Sequence, residues 1–432
     1  MLEGAVSAEG FRAAYAGAGV FVLEGGGTTL MGAEPVVELR VARADGGDPF
    51  AGIRAVLGDA SGIRWDSSFP FSFRAGLVGY VGYECGQMLE RLPGVARPSL
   101  GMPDLAFALH HWVLATRDGK TWLSVLAGDA GAARAVRERV VTRLASAPSV
   151  RPARVAAGAV RAWLEPDEYV ARVRAAREHI LDGDAFEICV TSAFDAPFDP
   201  DGAWALFRSL QRDNPAPYAA FLQLEEGTIV SSSPERFLTL SADRVAETRP
   251  IKGTRPRGAT REEDARLAAE LATSEKDRAE NAMIVDLARN DLGKVCRVGT
   301  VTTPALFAVE SYATVHQLVS TVRGVLADEH DAVDLLRACF PPGSMTGAPK
   351  IEAMSILERL EPVERGPYAG ALGWIDLGGA MDLSVVIRTV VLRDGVARFG
   401  AGGAVTADSD AEAEHAEMMQ KTRALRAALG IA

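Results

Sequence analysis

Short apolar segments that follow one another directly limit the fold of this chain more than any other feature. Val20–Glu24, Gly76–Tyr83 and Trp122–Ala127 lie before residue 145; Phe186–Thr191, Ala219–Gln223, Thr228–Ser232, Phe237–Leu240, Ala369–Asp376 and Leu383–Leu392 lie after it. Segments of this length, bounded by turn residues, read as β-strands. Strict alternation of strand and helix is missing, so the pattern predicts an α+β fold with antiparallel sheets. Helices are predicted over 130–147, Asp167–Leu181, Glu275–Asp291 and Asp410–Leu429, the third with Ser274 as N-cap and Gly293 as its stop. The polar, proline-bearing stretch 146–165 reads as a linker between a region 1–145 and a region 165–430.

With 432 residues, 48% of them hydrophobic, the chain is long enough for one large or two ordinary domains with a sizeable core. Its 46 basic against 57 acidic residues give a net charge of −11, which argues against general nucleic-acid binding and leaves room for a local positive site. Cys85, Cys189, Cys296 and Cys339 form no CxxC pair, so reduced core thiols in a cytoplasmic protein are expected rather than zinc or disulfides. The first twenty residues carry Glu3, Glu9 and Arg12, unlike a secretory leader, and no run of eighteen apolar residues predicts a membrane span.

Several residues carry possible chemistry. Lys252 lies in a window with Arg249, Arg255 and Arg257. A lysine amine becomes a nucleophile when its pKa falls, and neighbouring cations and burial would lower it. Gly253 and Gly258 let the backbone approach a ligand. The plainer reading of this window is a solvated basic turn. Glu235, in Ser233-Pro234-Glu235-Arg236, would serve as a proton donor if its pKa were raised; otherwise it is a turn glutamate paired with Arg236. Asp277 and Glu280 share one helix face, as do Glu414, Glu417 and Lys421. Two such faces across a cleft suit Mg²⁺, and taken singly each also suits an ordinary solvated helix. Gly400-Ala401-Gly402-Gly403 reads as a turn whose N–H groups approach an anion. Arg388, inside the apolar run Val385–Val391, calls for an acid or a ligand carboxylate, and Tyr368 is a substrate contact or a core aromatic.

Taken in order, Ser233–Phe237, Pro250–Gly258, Lys276–Leu292, Pro341–Lys350, Tyr368–Gly373 and Gly402–Glu417 resemble the chorismate-utilising enzymes. Gly76–Glu84 is similar to the N-terminal part of the anthranilate and aminodeoxychorismate synthase subunits. The resemblance implies a large antiparallel β-sandwich flanked by helices, with the two regions packed as one unit. It implies that Glu280 and Glu417 bind Mg²⁺, with Asp277 and Glu414 in support, and that the metal holds the ring carboxylate of chorismate. Tyr368 and Arg388 would hold the pyruvyl carboxylate, assisted by Gly402, Gly403 and Lys421, while Gly253 and Thr254 line the ring.

Within the family, Lys252 in Pro-Ile-Lys-Gly-Thr resembles the aminodeoxychorismate synthase branch, where anthranilate synthases usually have a small residue. The lysine of isochorismate and salicylate synthases aligns with Glu187, so water activation by that lysine is not expected. Gln317 replaces a histidine typical of members that eliminate pyruvate. The resemblance thus implies Mg²⁺-dependent conversion of chorismate and ammonia to 4-amino-4-deoxychorismate, for p-aminobenzoate and folate synthesis, through a covalent adduct on Lys252 with Glu235 as proton donor. Because the chain lacks a Gly-x-Cys-x-Gly elbow, ammonia would come from a separate glutaminase subunit. The rival readings are anthranilate synthase and a non-catalytic chorismate or tryptophan sensor. For the sensor, Val22–Gly25 and Asn214–Tyr218 resemble parts of a tryptophan pocket.

Overall fold

A computed structural model describes residues 1–432 except 3, 67, 149–154, 156 and 432. Residues 149–154 and 156 of the proposed linker 146–165 therefore lie outside the described residues.

Two antiparallel sheets dominate, with 11 and 10 strands among the described residues. Most expected segments become strands, including Val20–Gly25, Gly76–Val81, Lys120–Val125, Tyr218–Gln223 and Thr228–Ser233. Both sheets draw strands from before and after residue 150. In the first, Val20–Gly25 pairs with Tyr218–Gln223; in the second, Gly76–Val81 pairs with Ala371–Asp376.

Side chains alternate between two buried faces along these strands. Phe21 meets Val78 and Tyr80 of the other sheet in a core between the sheets, while Val20 and Val22 pack under helices with Phe11, Tyr169 and Leu206. On the opposite side, Leu77 and Val81 pack with Val285 and Leu336. The order is thus helices, sheet, sheet, helices. Burial on both faces explains why the strands read as continuous apolar runs rather than as alternating ones.

The predicted helices form at Ala130–Ala145, Pro166–Leu181, Glu275–Gly293 and Ala411–Ala428. Ser274 caps the third by accepting from Asp277 N–H, and Asp410 caps the last by accepting from Ala413 N–H. All four cysteines are free and buried. Among the described residues, no helix is long and apolar enough to cross a membrane.

The run Leu383–Leu392 is not one strand. Met381–Val385 belongs to the second sheet and Thr389–Arg393 to the first, and the chain changes sheet between them. Their partners, Arg236–Leu240 and Thr228–Ser233, change sheet at the same corner through Pro234 and Glu235. Val385 N–H donates to Glu235 O at 3.0 Å and Ser232 N–H to Arg388 O at 3.0 Å, so the two crossings are stitched together. Sharp bends of this kind form the corners of packed sheets.

Candidate active site

Four elements converge on this corner. The first is the corner itself, with Glu235 on one crossing and Arg388 on the other. Arg388 has φ +51°, so it sits at a kink and not inside a strand. An uninterrupted strand would have kept it in a single sheet; the crossing turns it toward the last helix, where Nη1 donates to Lys421 O. Arg388 forms no ion pair among the described residues, and burial lowers its pKa. A buried guanidinium lacking a carboxylate suits a ligand carboxylate.

The second element is the strand Ile251–Pro256. Ile251 pairs with Val319 and Thr254 with Gln317, which leaves one extra residue on this strand: a β-bulge at Lys252 and Gly253. Gly253 has φ +88°, and a Cβ there would sit 2.8 Å from the Asp277 carboxylate, so this position admits only glycine without rearrangement. The bulge carries the Lys252 side chain inward, where it is 9% exposed. Thr254 is exposed on the same strand.

The basic window does not act on Lys252 as its composition suggested. Arg249 pairs with Glu310, Arg255 with Glu270 and Asp277, and Arg257 with Asp264. Their charges are spent on acids. Lys252 Nζ instead donates to Glu187, which lies on the strand Glu187–Pro197 and is fully buried. Burial pushes the amine pKa down, but the charges of Glu187 and Glu280 outweigh it and hold the pKa above the ordinary lysine value. The expected depression is thereby corrected: this lysine is stored as an ammonium.

Glu235 is 5% exposed and not paired with Arg236, whose partners are Glu247 and Asp382. Burial raises its carboxyl to about 7, against the opposing pull of Ser344, Lys252, the Ile251 N–H and Lys421. A small pocket borders it, lined by Phe237, Pro250, Ile284 and Ser344 among others.

The third and fourth elements are the helices Glu275–Gly293 and Ala411–Ala428. Their acidic faces do meet, bridged by Lys276, whose Nζ lies 3.3 Å from Glu414 and 3.8 Å from Glu280. Glu417 pairs with Lys421 at 2.8 Å, and Lys421 also donates to Gly402 O at 2.9 Å. Asp277 is turned to Arg255 at 3.0 Å. Among the described residues no set of three or more His, Cys, Asp or Glu side chains is arranged to hold a metal ion, because lysines stand between the carboxylates. Even so, Glu280 Oε1 is buried without a hydrogen-bond donor, and burial raises Glu280 to about 7. An orphaned carboxylate oxygen facing a second acidic helix fits a hard cation.

Gly400–Gly403 is not a turn. It lies within the strand Val396–Val405, paired along one edge with Glu187–Pro197. On its other edge the pairing with Thr389–Arg393 ends at Phe399, opposite Val390. The glycines make room. A Cβ at Gly400 would lie 2.3 Å from the Tyr368 ring, at Gly402 2.7 Å from the Thr191 side chain, and at Gly403 2.8 Å from Glu414 Oε2. Tyr368 is buried against this strand.

Three contributors escaped sequence reading: Glu187 as the partner of Lys252, Lys276 as the bridge between helices, and Ser344 beside Glu235. A charged residue in the apolar run Phe186–Cys189 was the signal for the first; the other two lie in the stretches Lys276–Leu292 and Pro341–Lys350, which carried the resemblance without a role for either residue. Val22–Gly25 and Asn214–Tyr218 also meet, and a Cβ at Gly25 would lie 2.0 Å from Pro217 O.

The same arrangement of strands and helices occurs in a solved anthranilate synthase component I from Streptococcus pneumoniae TIGR4, with TM-score 0.83 and 28% identity over 92% of each chain. Among curated proteins, an aminodeoxychorismate synthase of Streptomyces pristinaespiralis is 46% identical over 84% of this chain and 52% of its own length. The chain thus spans about half the length of that relative. Aminodeoxychorismate synthase component 1 of Escherichia coli strain K12 is 38% identical over 91% of this chain and 85% of its own. The model of the chorismate binding enzymes matches residues 20–427, and the chain belongs to that family.

Proposed function

We propose that this chain is the chorismate-converting subunit of an aminodeoxychorismate synthase. The observation that carries the reading is Lys252, a buried amine delivered by a bulge next to a buried carboxyl of pKa about 7. The amine attacks C2 of the chorismate ring, the double bonds shift, and the C4 hydroxyl leaves as water with the proton of Glu235. Ammonia then adds at C4 and expels Lys252, while its surplus proton returns to Glu235. Two displacements at conjugate positions place nitrogen where the hydroxyl stood.

Arg388 and Tyr368 bind the pyruvyl carboxylate in this reading, with Lys421 close by. Glu280 and Glu417 would hold Mg²⁺, with Glu414 and Asp277 behind them, and the ion would neutralise the ring carboxylate. Lys276 and Lys421 must then give way. Gln317, buried opposite Thr254, offers no imidazole to carry a proton for pyruvate elimination. Ammonia is assigned to a separate glutaminase subunit, a role that the "component 1" name of the Escherichia coli relative supports.

A second reading, anthranilate synthesis, is favoured by the shared frame of the pneumococcal subunit. Product identification separates the two. With chorismate, Mg²⁺ and ammonium, the wild type is expected to give the C4-amino product with its pyruvyl carbons retained. Lys252→Ala should lose that product and shift to the C2-amino isomer by direct attack of ammonia. Anthranilate from the wild type, or unchanged C4 amination by Lys252→Ala, would refute the proposal. Chelation by EDTA should abolish turnover, and added Mg²⁺ should restore it.

A further inference from the structure

If Lys252 is the nucleophile, the structure presents it in the wrong protonation state. Buried beside Glu187, its amine is held above the ordinary lysine pKa and keeps its proton, and an ammonium has no lone pair to give. A proton acceptor is required within reach. The arginines nearby cannot accept one, and Glu235 is needed in its protonated form. Glu280 lies on the acidic helix face that suits a cation. One side chain remains: among the described residues, Glu187 alone accepts a hydrogen bond from Lys252 Nζ.

Glu187 is built for more than an ion pair. It is fully buried, and while Oε1 takes the lysine, Oε2 has no hydrogen-bond partner. Its backbone is clamped. Ala348 pairs with it across the short strand Gly347–Ala348, and Phe186 N–H donates to Ala348 O at 2.7 Å. Gly347, at φ +128°, comes so close that a Cβ there would lie 2.1 Å from Glu187 O. The carboxylate is thus held against the amine by backbone that packs too tightly to drift.

We propose that Glu187 is a catalytic base that takes the proton of Lys252 and later returns it. This rests on the reading of Lys252 as nucleophile. A proton passes from Nζ to a Glu187 oxygen, and the freed lone pair forms the bond to the ring carbon. Ammonia then displaces the lysine, the C–N bond breaks with its electrons returning to nitrogen, and the proton comes back from Glu187. No charge crosses to solvent, because a buried ion pair becomes a buried neutral pair and then reforms. That matters where isolated charges are costly.

Glu187→Gln tests this. The variant keeps the size and the acceptor oxygen but cannot take a proton. With chorismate, Mg²⁺ and ammonium near pH 7.5, its kcat should fall by at least ~100-fold, the lower end for a lost general base. The KM for chorismate should stay within about threefold of wild type, since no substrate contact is removed. Below pH 7, where Glu235 stays protonated, the residual rate should climb roughly tenfold per pH unit as solvent takes over deprotonation, a rise the wild type lacks, and it should level off above pH 7 as Glu235 ionises. Glu187→Asp, which retains an acid, should recover part of the rate and flatten that rise. A Gln variant with wild-type kcat and pH profile would overturn the proposal. So would an equal loss at every pH with the Asp variant no better, the mark of a structural role. Failure of the underlying reading looks different: the wild type itself would then make no C4-amino product.

Discussion

A glutamic acid buried to 5% exposure is useful as a proton donor only while it stays protonated. With Glu235 raised to about 7, the protonated form prevails below neutrality and is lost as the pH rises through that value. The wild-type rate should therefore fall on an alkaline limb starting near pH 7. Glu235→Gln should lower kcat by about 10²–10⁴-fold, with KM for chorismate little changed, and the limb should vanish from the residual activity. A pH–rate profile of both proteins checks this; a limb that survives in the Gln variant would assign it elsewhere. Glu235 could be named from the sequence because it sits in a short motif. Its protonation depends on Phe237, Ile284 and Pro250 around it, which the chain brings together from different elements.

At the scale of elements, the bulge at residues 252–253 decides what reaches the pocket. Gly253→Ala would put a methyl group 2.8 Å from Asp277 at φ +88°, whereas Gly299→Ala, at φ +80°, meets nothing within 4 Å. Both substitutions should cost on the order of 1 kcal/mol or more through backbone strain. Only Gly253→Ala should also lower kcat/KM, by about tenfold or more, since it displaces the amine. Urea denaturation and steady-state kinetics on the pair separate strain from positioning. The strands on either side of the bulge were legible because apolar runs survive burial on both faces. The corner was not: Val385–Val391 is apolar apart from Arg388 and Thr389 and carries no Gly or Pro, the usual mark of a bend, where one sheet hands the chain to the other. Gly400–Gly403 misled for the opposite reason. Glycine usually signals a turn, but here it clears space inside a strand for Tyr368 and Glu414. The Lys252–Glu187 contact spans 65 residues of sequence, so the charge within the run Phe186–Cys189 could be seen but not its partner.

Across the whole molecule, Glu84 ties the two regions together. It follows the strand Gly76–Val81, and its oxygens accept the N–H groups of Arg365 and Gly366 at 2.8 Å each, just ahead of Tyr368. Burial raises Glu84 to about 7. The folded state therefore holds this proton more tightly than the unfolded chain does. The stability it contributes is full below about pH 4.5 and is lost as the pH rises through 7. The advantage of wild type over Glu84→Gln should shrink by on the order of 3 kcal/mol across that window. Glu84→Ala should destabilise by about 2–3 kcal/mol at pH 5, leaving the N–H groups of Arg365 and Gly366 unmet, and by clearly less at pH 8. Denaturant midpoints at pH 5 and 8 measure both.

The frame is thus fixed far from Lys252. The kink that presents residue 252 is dictated by its glycine neighbour and by Asp277 behind it, and no part of that shape is owed to the lysine. A descendant of this protein that exchanged the single group mounted there would keep its scaffold intact, and would be expected to aminate a different ring carbon.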